Sequence, residues 1–375
     1  MDLTAAESNI IHKTPHTYCS HPCITKLANG DWLVAFCQGT QRRLPFIHPP
    51  NDPQFINVLC RSRDQGQTWE PPRVAPNYDW YGVETPGIAQ ISNGDVVLNQ
   101  WRFLWYPLEL AKKLWSTGQH QIFISDLQLH RWRPAQKEED WERHPYPYAR
   151  ADGGAYVHLS TDNGHTWDFT VPVGIAPYQG SFSPKGVIEL GNGDLLLALG
   201  SQEHDPLAAC FVVRSTDRGR SWQRPVEAAR IPGLIFSEPS VVAAQSGKLL
   251  LMSREEVTGY IYRSESPDGG VTWLPPKQLP FWGYPAHVIR LMDGRILVVF
   301  GRRKPPYGIR AAVSEDEGRS WTAEFTIRDN LIDSNQGLNL GYPSVIEYTP
   351  GKLFTAYYAE DTDGVTCIQG TYFTL

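Results

Sequence analysis

The sequence predicts an all-β fold, a six-bladed β-propeller of four-stranded antiparallel blades occupying residues 1–375 as a single domain, and three observations predict it. An eight-residue pattern, S-x-D-x-G-x-[TS]-W, recurs five times, at 62–69, 160–167, 215–222, 266–273 and 314–321. A second pattern interleaves with it six times: a residue followed by proline, an apolar stretch, a turn ending at glycine, and another apolar stretch. The keyed tryptophans at 69, 167, 222, 273 and 321 are spaced 98, 55, 51 and 48 residues apart, so each interval holds a blade and the first holds an extended one.

The six openings are His21-Pro22, Thr85-Pro86, Ser183-Pro184, Glu238-Pro239, Tyr284-Pro285 and Tyr342-Pro343, which set blade starts near 20, 84, 182, 237, 283 and 341. The turns after the first strands end at Gly30, Gly94, Gly193, Gly247, Gly294 and Gly351. The second strands read DWLVAF, DVVLNQW, DLLLALG, KLLLMS, RILVVF and KLFTAYY, short β-rich runs bounded by turn residues. Third strands INVLCRS, AYVHLS, CFVVRS, GYIYRS and IRAAVS lead into the five repeated turns, each with a fourth strand after it. In those turns a short carboxylate bonds nearby backbone, glycine takes positive φ, and tryptophan packs the turn down. The sixth unit lacks the motif. Its last strand, ending at Thr374-Leu375, is expected to pair near the N-terminal segment and close the ring, which removes exposed edges.

The long interval places an insertion at about 104–153, between the second and third strands of blade two. It carries Trp105, Trp115, Trp132, Trp141, Tyr146 and Tyr148 among many charges, and only LELAKKLW looks helical. Loops this long in a compact fold are functional or disordered, and the aromatic content favours a packed lid over the central mouth.

A formal net charge of −6 and a pI near 6.0 lack the basic face of a nucleic-acid binder. No run of eighteen apolar residues offers a membrane span. The start, MDLTAAES, has neither a basic n-region nor an apolar h-region, so a cytoplasmic protein is expected, or a secreted or periplasmic one if a leader was removed. The six cysteines form no CxxC pair and read as thiols of a reducing compartment. Cys19, His21 and Cys23 would share one face of a strand, but Pro22 disturbs it and no fourth ligand is evident. No metal and no cofactor is therefore expected, and no glycine-rich phosphate loop follows a strand.

In a propeller the first strands line the axis, so first-strand starts and second-strand ends meet at one mouth. The starts supply His21, Glu84 or Thr85, Ser183 or Lys185, Glu238, Tyr284 and Tyr342. The ends supply Arg42 and Arg43, Arg102, Glu203 and His204, Arg254, Arg302 and Arg303, and Tyr358 with Glu360. Guanidinium groups hold carboxylates bidentately and stay charged at any working pH, so this mouth suits an acidic ligand; a ring of local salt bridges is the alternative. The repeated aspartate turns fall on the opposite face and are expected to be structural.

At these residues the chain resembles the sialidase (neuraminidase) superfamily over nearly its whole length. The repeated turn is similar to that family's Asp box. In SEPSVVAAQSGKLLLMSR, Glu238 and Arg254 stand sixteen apart, similar to the family's Glu-then-Arg arrangement, and GYPSVIEYTPGKLFTAYY looks like the segment bearing the family's catalytic tyrosine, here Tyr342. Arg302 or Arg303 falls where another triad arginine is expected. The resemblance implies an exo-acting hydrolase of a terminal acidic sugar on an oligosaccharide or glycoconjugate. Tyr342 would attack the anomeric carbon, Glu238 would take its proton, and Asp52, in HPPNDPQF, would be the positional candidate for the acid, with an ordinary Asp-Pro turn as its alternative. The family's Arg-Ile-Pro opening is replaced by Cys19-Ser20-His21-Pro22, so one gripping arginine is absent unless Arg42, Arg43 or Arg102 replaces it. His21 in that place suggests a second chemistry, proton abstraction beside a uronate followed by elimination, as in a polysaccharide lyase or in propellers acting on rhamnose-glucuronate linkages. Glycan binding without cleavage is a third reading.

Overall fold

In the computed structural model, which describes residues 7–41, 53–76, 81–126, 131–202, 205–334 and 339–375, each predicted second strand sits inside its own antiparallel sheet. There are six sheets, five of four strands and one of six. Blade one comprises β2 (Thr17–Lys26), β3 (Trp32–Thr40), β4 (Ile56–Ser62) and β5 (Arg73–Val74). Blade two comprises β6 (Tyr81–Gln90), β7 (Val96–Pro107), β10 (Tyr148–Ser160) and β11 (Phe169–Val173). Blade three has β12 (Ile188–Glu189), β13 (Leu195–Gly200), β14 (Cys210–Ser215) and β15 (Val226–Ala229); blade four has β16 (Phe236–Ala243), β17 (Leu249–Glu255), β18 (Tyr260–Ser266) and β19 (Lys277–Trp282). Blade five has β20 (Ala286–Arg290), β21 (Ile296–Arg302), β22 (Gly308–Ser314) and β23 (Phe325–Arg328).

Blade six is built from both ends of the chain. β24 (Gly341–Thr349), β25 (Lys352–Glu360) and β26 (Thr366–Thr374) are completed by β1 (Glu7–His12), which pairs antiparallel with β26 from Glu7 opposite Tyr372 to His12 opposite Ile368. The ring closes as the sequence leads one to expect.

Second strands such as β13 are buried at every residue, because each sheet is covered on both faces by its neighbours. This explains why DLLLALG runs continuously apolar instead of alternating. The core is accordingly divided among the blade interfaces. Val97, Val157 and Leu159 of blade two pack on Leu195 and Phe211 of blade three, and Leu297 and Ile309 of blade five pack on Leu353 and Tyr357 of blade six.

The five aspartate turns share one hydrogen-bond set. In the first, Ser62 Oγ donates to Asp64 Oδ1 at 2.8 Å and accepts from the Gly66 N–H at 2.7 Å, while Thr68 gives Asp64 its N–H at 2.9 Å and its hydroxyl at 2.6 Å. Gln65 and Gly66 both have positive φ, 57° and 85°, as a two-residue turn matched to strand twist requires. Each turn also docks on the preceding blade: Arg61 of blade one donates to the Asn163 carbonyl at 2.5 Å, and Arg214 of blade three donates to that of Gly269. A Cβ at Gly66 would come within 2.7 Å of the Trp32 ring and 2.8 Å of Tyr372 Oη. Gly66→Ala is therefore expected to cost more than about 2 kcal/mol and to lower the melting temperature by several degrees, measured by thermal denaturation.

The insertion differs from its predicted bounds. The β7–β10 ladder continues out to Pro107 opposite Tyr148, so the strands run on and the excursion proper is 108–147. It holds α1 (Leu108–Ser116), the hairpin β8 (Phe123–Asp126) and β9 (Arg131–Pro134), and one 3-10 helix at Glu138–Arg143. It is packed, with Trp105, Phe123, Trp132 and Tyr146 buried in one cluster that reaches Phe182 of blade three, and Trp141 in a second cluster with Ala111. No helix among the described residues is long and apolar enough to cross a membrane.

Candidate functional site

Four of the six openings share an unusual backbone. His21, Thr85, Glu238 and Tyr342, each followed by proline, have φ of 53°, 45°, 51° and 49°. At each of them the first strand carries one residue more than its partner: between Ser20 and Cys23, Glu84 and Gly87, Ser237 and Ser240, and Gly341 and Ser344. A β-bulge re-aims a side chain, and a left-handed non-glycine residue costs on the order of 1–2 kcal/mol. The fold accepts this strain four times around one axis.

Three of the four bulged side chains form one cluster, with His21, Glu238 and Tyr342 at most 4% exposed. The Tyr342 hydroxyl donates to Glu238 Oε1 in a short hydrogen bond, and Glu238 Oε2 accepts from Arg254 at 3.0 Å. Arg254 lies opposite Ser237 in the ladder, which explains its sixteen-residue spacing from Glu238, and its other arm pairs with Glu256 at 2.7 Å. Its guanidinium stacks 4.0 Å over the Tyr284 ring. Arg303 lies 5.3 Å from both the Tyr284 and Tyr342 ring centres and donates to the Leu340 carbonyl at 2.8 Å and to Tyr358 Oη at 3.0 Å. His21 meets Tyr342 edge-on at 4.1 Å and lies 5.5 Å from Tyr358, with Nδ1 2.8 Å from Ser20 Oγ. The aromatic and cationic series continues outward, since Trp282 packs 5.6 Å from Tyr284 and carries the Lys304 ammonium 3.7 Å over its ring.

Burial, reinforced by the Glu238 charge, pushes the Tyr342 phenol well above its usual range, while Arg254 and Arg303 pull the other way. Tyr358 is pushed up to about 12 by burial, against the attraction of Arg303. Tyr342 is thus a neutral phenol at physiological pH, hydrogen-bonded to Glu238 Oε1.

The structure brings together Tyr342, Glu238, His21, Arg254, Arg303 and Tyr284. It corrects two sequence expectations. Arg302, the last residue of β21, pairs with Glu324 at 3.2 Å, and Arg303, just past the strand end, is the one that reaches the cluster. Arg102 does not replace the missing arginine in this cluster. It is buried in blade two, donating to Gln100 at 3.2 Å, lying 2.9 Å from His158 Nε2 and stacking 4.3 Å over Tyr156, while Gln100 reaches Asn57 of blade one. Arg42, Arg43, Asp52, Glu203 and His204 lie outside the described residues. Tyr358 and Lys185 stood only among the strand ends and starts. The signal for Tyr358 was available, since it follows Tyr342 by sixteen residues as Arg254 follows Glu238.

The Arg102 network carries a pH consequence. Burial, and then the Arg102 charge, lowers His158 to about 3, so the folded protein keeps it neutral whereas the unfolded chain protonates it near 6.5. Its neutral form is fully compatible with folding above that value, and stability is lost as pH falls from about 6.5 towards 3. The melting temperature is expected to fall over this window, and less steeply in His158→Gln, as read by thermal denaturation across pH.

A BNR repeat-like domain is recognised over residues 152–355. Among solved structures, a protein of unknown function from Dyadobacter fermentans is similar at TM-score 0.79 and 21% identity, with 98% of each chain covered. The NanB sialidase of Streptococcus pneumoniae matches at TM-score 0.67 and 14% identity, over 98% of this chain and 70% of that one. The leech intramolecular trans-sialidase, solved with 2,7-anhydro-Neu5Ac, matches at TM-score 0.66 and 14% identity, over 99% of this chain and 70% of that one. At these identities the likeness is one of fold. Comparison with curated proteins gives no match.

Proposed function

This chain belongs to the BNR repeat-like domain family, within the sialidase superfamily of Asp-box propellers, and on that premise we propose that it hydrolyses the glycosidic bond of a terminal acidic sugar at the axial cluster. The observation that carries the reading is the buried hydrogen bond from Tyr342 to Glu238, flanked by Arg254 and Arg303. A glycan-binding site has no need of a carboxylate base against a phenol.

In the proposed reaction Tyr342 Oη forms a bond to the anomeric carbon, its proton passes to Glu238 Oε1, and the bond to the leaving oxygen breaks as an acid protonates that oxygen. Asp52 remains the candidate for that acid. Water then bonds to the anomeric carbon as it gives its proton to the acid, now a carboxylate, and the bond to the tyrosyl oxygen breaks as Glu238 returns the phenol proton. A neutral phenol suits a carbon that bears its own carboxylate, since a carboxylate nucleophile would meet like charge. Arg254 and Arg303 would hold the substrate carboxylate. Arg254 also holds Glu238 Oε2, which leaves Oε1 turned to the phenol.

The test is turnover of an aryl glycoside of an acidic nonulosonate, with product stereochemistry followed by NMR. Release with retained anomeric configuration supports the reading, whereas inversion excludes a tyrosyl intermediate. A second reading, elimination from a uronate, is favoured by His21 standing edge-on to Tyr342. It predicts a new carbon-carbon double bond absorbing in the near ultraviolet and lost in His21→Ala. A uronate-containing glycan consumed without that absorbance counts against it.

A further inference from the structure

Lys185 is a buried cation near this cluster that the mechanism leaves unused. It follows the Ser183-Pro184 opening of blade three, is 4% exposed, and forms no ion pair with a carboxylate among the described residues. Its Nζ donates instead to the Pro343 carbonyl at 2.8 Å. That carbonyl belongs to the bulge beside Tyr342: the β24–β25 ladder passes from Gly341 opposite Tyr358 to Ser344 opposite Ala356, skipping Tyr342 and Pro343. A buried carbonyl outside a ladder needs another donor, and Lys185 supplies it from across the axis.

The groups facing the ammonium are few. Burial disfavours its charged form, Cys23 on β2 and then Glu238 on β16 favour it, and the balance lowers Lys185 to about 8. His287 on β20, held neutral by burial and then by the Lys185 charge, accepts the Val345 N–H at 2.9 Å through Nδ1 and so fixes the same strand of blade six. Gly87 of β6 packs directly on the Lys185 backbone, where a Cβ would collide with the Lys185 carbonyl.

We propose that Lys185 is a positioning residue for the Tyr342–Glu238 pair: its ammonium holds the Pro343 carbonyl, and with it the left-handed bulge that turns the phenol onto Glu238, while its charge stabilises the carboxylate that acts as base. This rests on the roles assigned above to Tyr342 and Glu238. It follows that kcat has an alkaline limb near pH 8, where Lys185 loses its proton.

Two measurements test it. The first is a 13Cε-lysine NMR titration of the whole protein, with the Lys185 resonance assigned by its loss in Lys185→Met. A Lys185 midpoint near 8 that falls in Glu238→Gln is the expected result; a midpoint above 10 that does not move in Glu238→Gln overturns the coupling. The second is kinetic. Lys185→Met is expected to lower kcat at least about tenfold with KM within about twofold, and to abolish the alkaline limb. Lys185→Gln, which keeps a donor without the charge, is expected to recover part of kcat but not the limb. Wild-type kcat and an unchanged limb in both variants overturn the proposal. If the wild-type protein turns over no acidic glycoside, the hydrolase reading fails, and the NMR titration, made on wild type and Glu238→Gln, still decides whether Lys185 is coupled to the pair. The same titration decides if Lys185→Met does not fold, the resonance then being assigned in Lys185→Gln.

Discussion

Tyr342→Phe is expected to abolish measurable hydrolysis of an acidic-sugar glycoside, lowering kcat by at least about three orders of magnitude. The substitution removes one oxygen and keeps the ring that packs on His21 and lies beside Arg303, so the fold should survive. Glu238 retains its bond from Arg254, which keeps the buried carboxylate compensated. Glu238→Gln is expected to cost about 10²–10⁴ in kcat, the range for loss of a general base, because the phenol remains but its proton has no acceptor of sufficient basicity. The double variant should be little worse than Tyr342→Phe alone, since the two residues act as a unit. Initial rates and circular-dichroism melts on purified variants check this, and either single variant within about tenfold of wild type would sink the nucleophile assignment.

Deleting residues 1–12 is expected to give the largest loss of stability. β1 completes blade six, burying Ile11 and joining Ser8 Oγ to Thr371 Oγ1 at 2.9 Å, and the Asn9 amide donates to the Gly66 carbonyl at 2.7 Å. It therefore ties the last blade to the first aspartate turn. Without it the nine residues of β26 become an open edge, whereas the outer strands β5, β15, β19 and β23 of the other four-stranded blades run for only two, four, six and four residues. Several backbone hydrogen bonds at about 1 kcal/mol each, together with Ile11 and the lost closure, amount to a large part of a typical stability of about 5–15 kcal/mol. The truncated chain is expected to aggregate or to melt more than about 10 °C lower, as read by size-exclusion chromatography and differential scanning fluorimetry. A monomer melting within about 3 °C of the full chain would show that β1 does not close the ring.

The blades were legible because each is a local event. A turn in which Ser, Asp, Gly and Thr bond one another within seven residues needs no distant partner, so its five copies could be counted and phased from the chain alone. The pairing of Glu238 with Arg254 was legible for a related reason: sixteen residues measure one strand, one turn and the return strand, and the ladder returns Arg254 beside Ser237. Arg302 and Arg303 were not separable, because β21 ends at Arg302 and which of the two turns to the axis depends on where its ladder stops and how the chain leaves it. Arg102 was misplaced for the same reason. It lies inside β7, which runs on to Pro107, and its side chain stays within blade two against Gln100 and His158, with Gln100 bonded in turn to Asn57 of blade one.

By itself, then, the sequence determined the propeller, its six blades and its closure by the chain termini, since these follow from repeated motifs and spacings, and the resemblance those motifs carry singled out Tyr342, Glu238 and Arg254 among the residues expected at the mouth. Only the tertiary structure decided how the blades meet: that Tyr342 bonds Glu238 across the axis, that Arg303 and not Arg302 joins them, that His21 stands edge-on against Tyr342, and that Lys185 of blade three holds the peptide beside the phenol. The physical reason is that these contacts join residues brought together from different blades, and a repeated strand pattern specifies each blade's own pairing while leaving the rotation of one blade against the next to the packing between them.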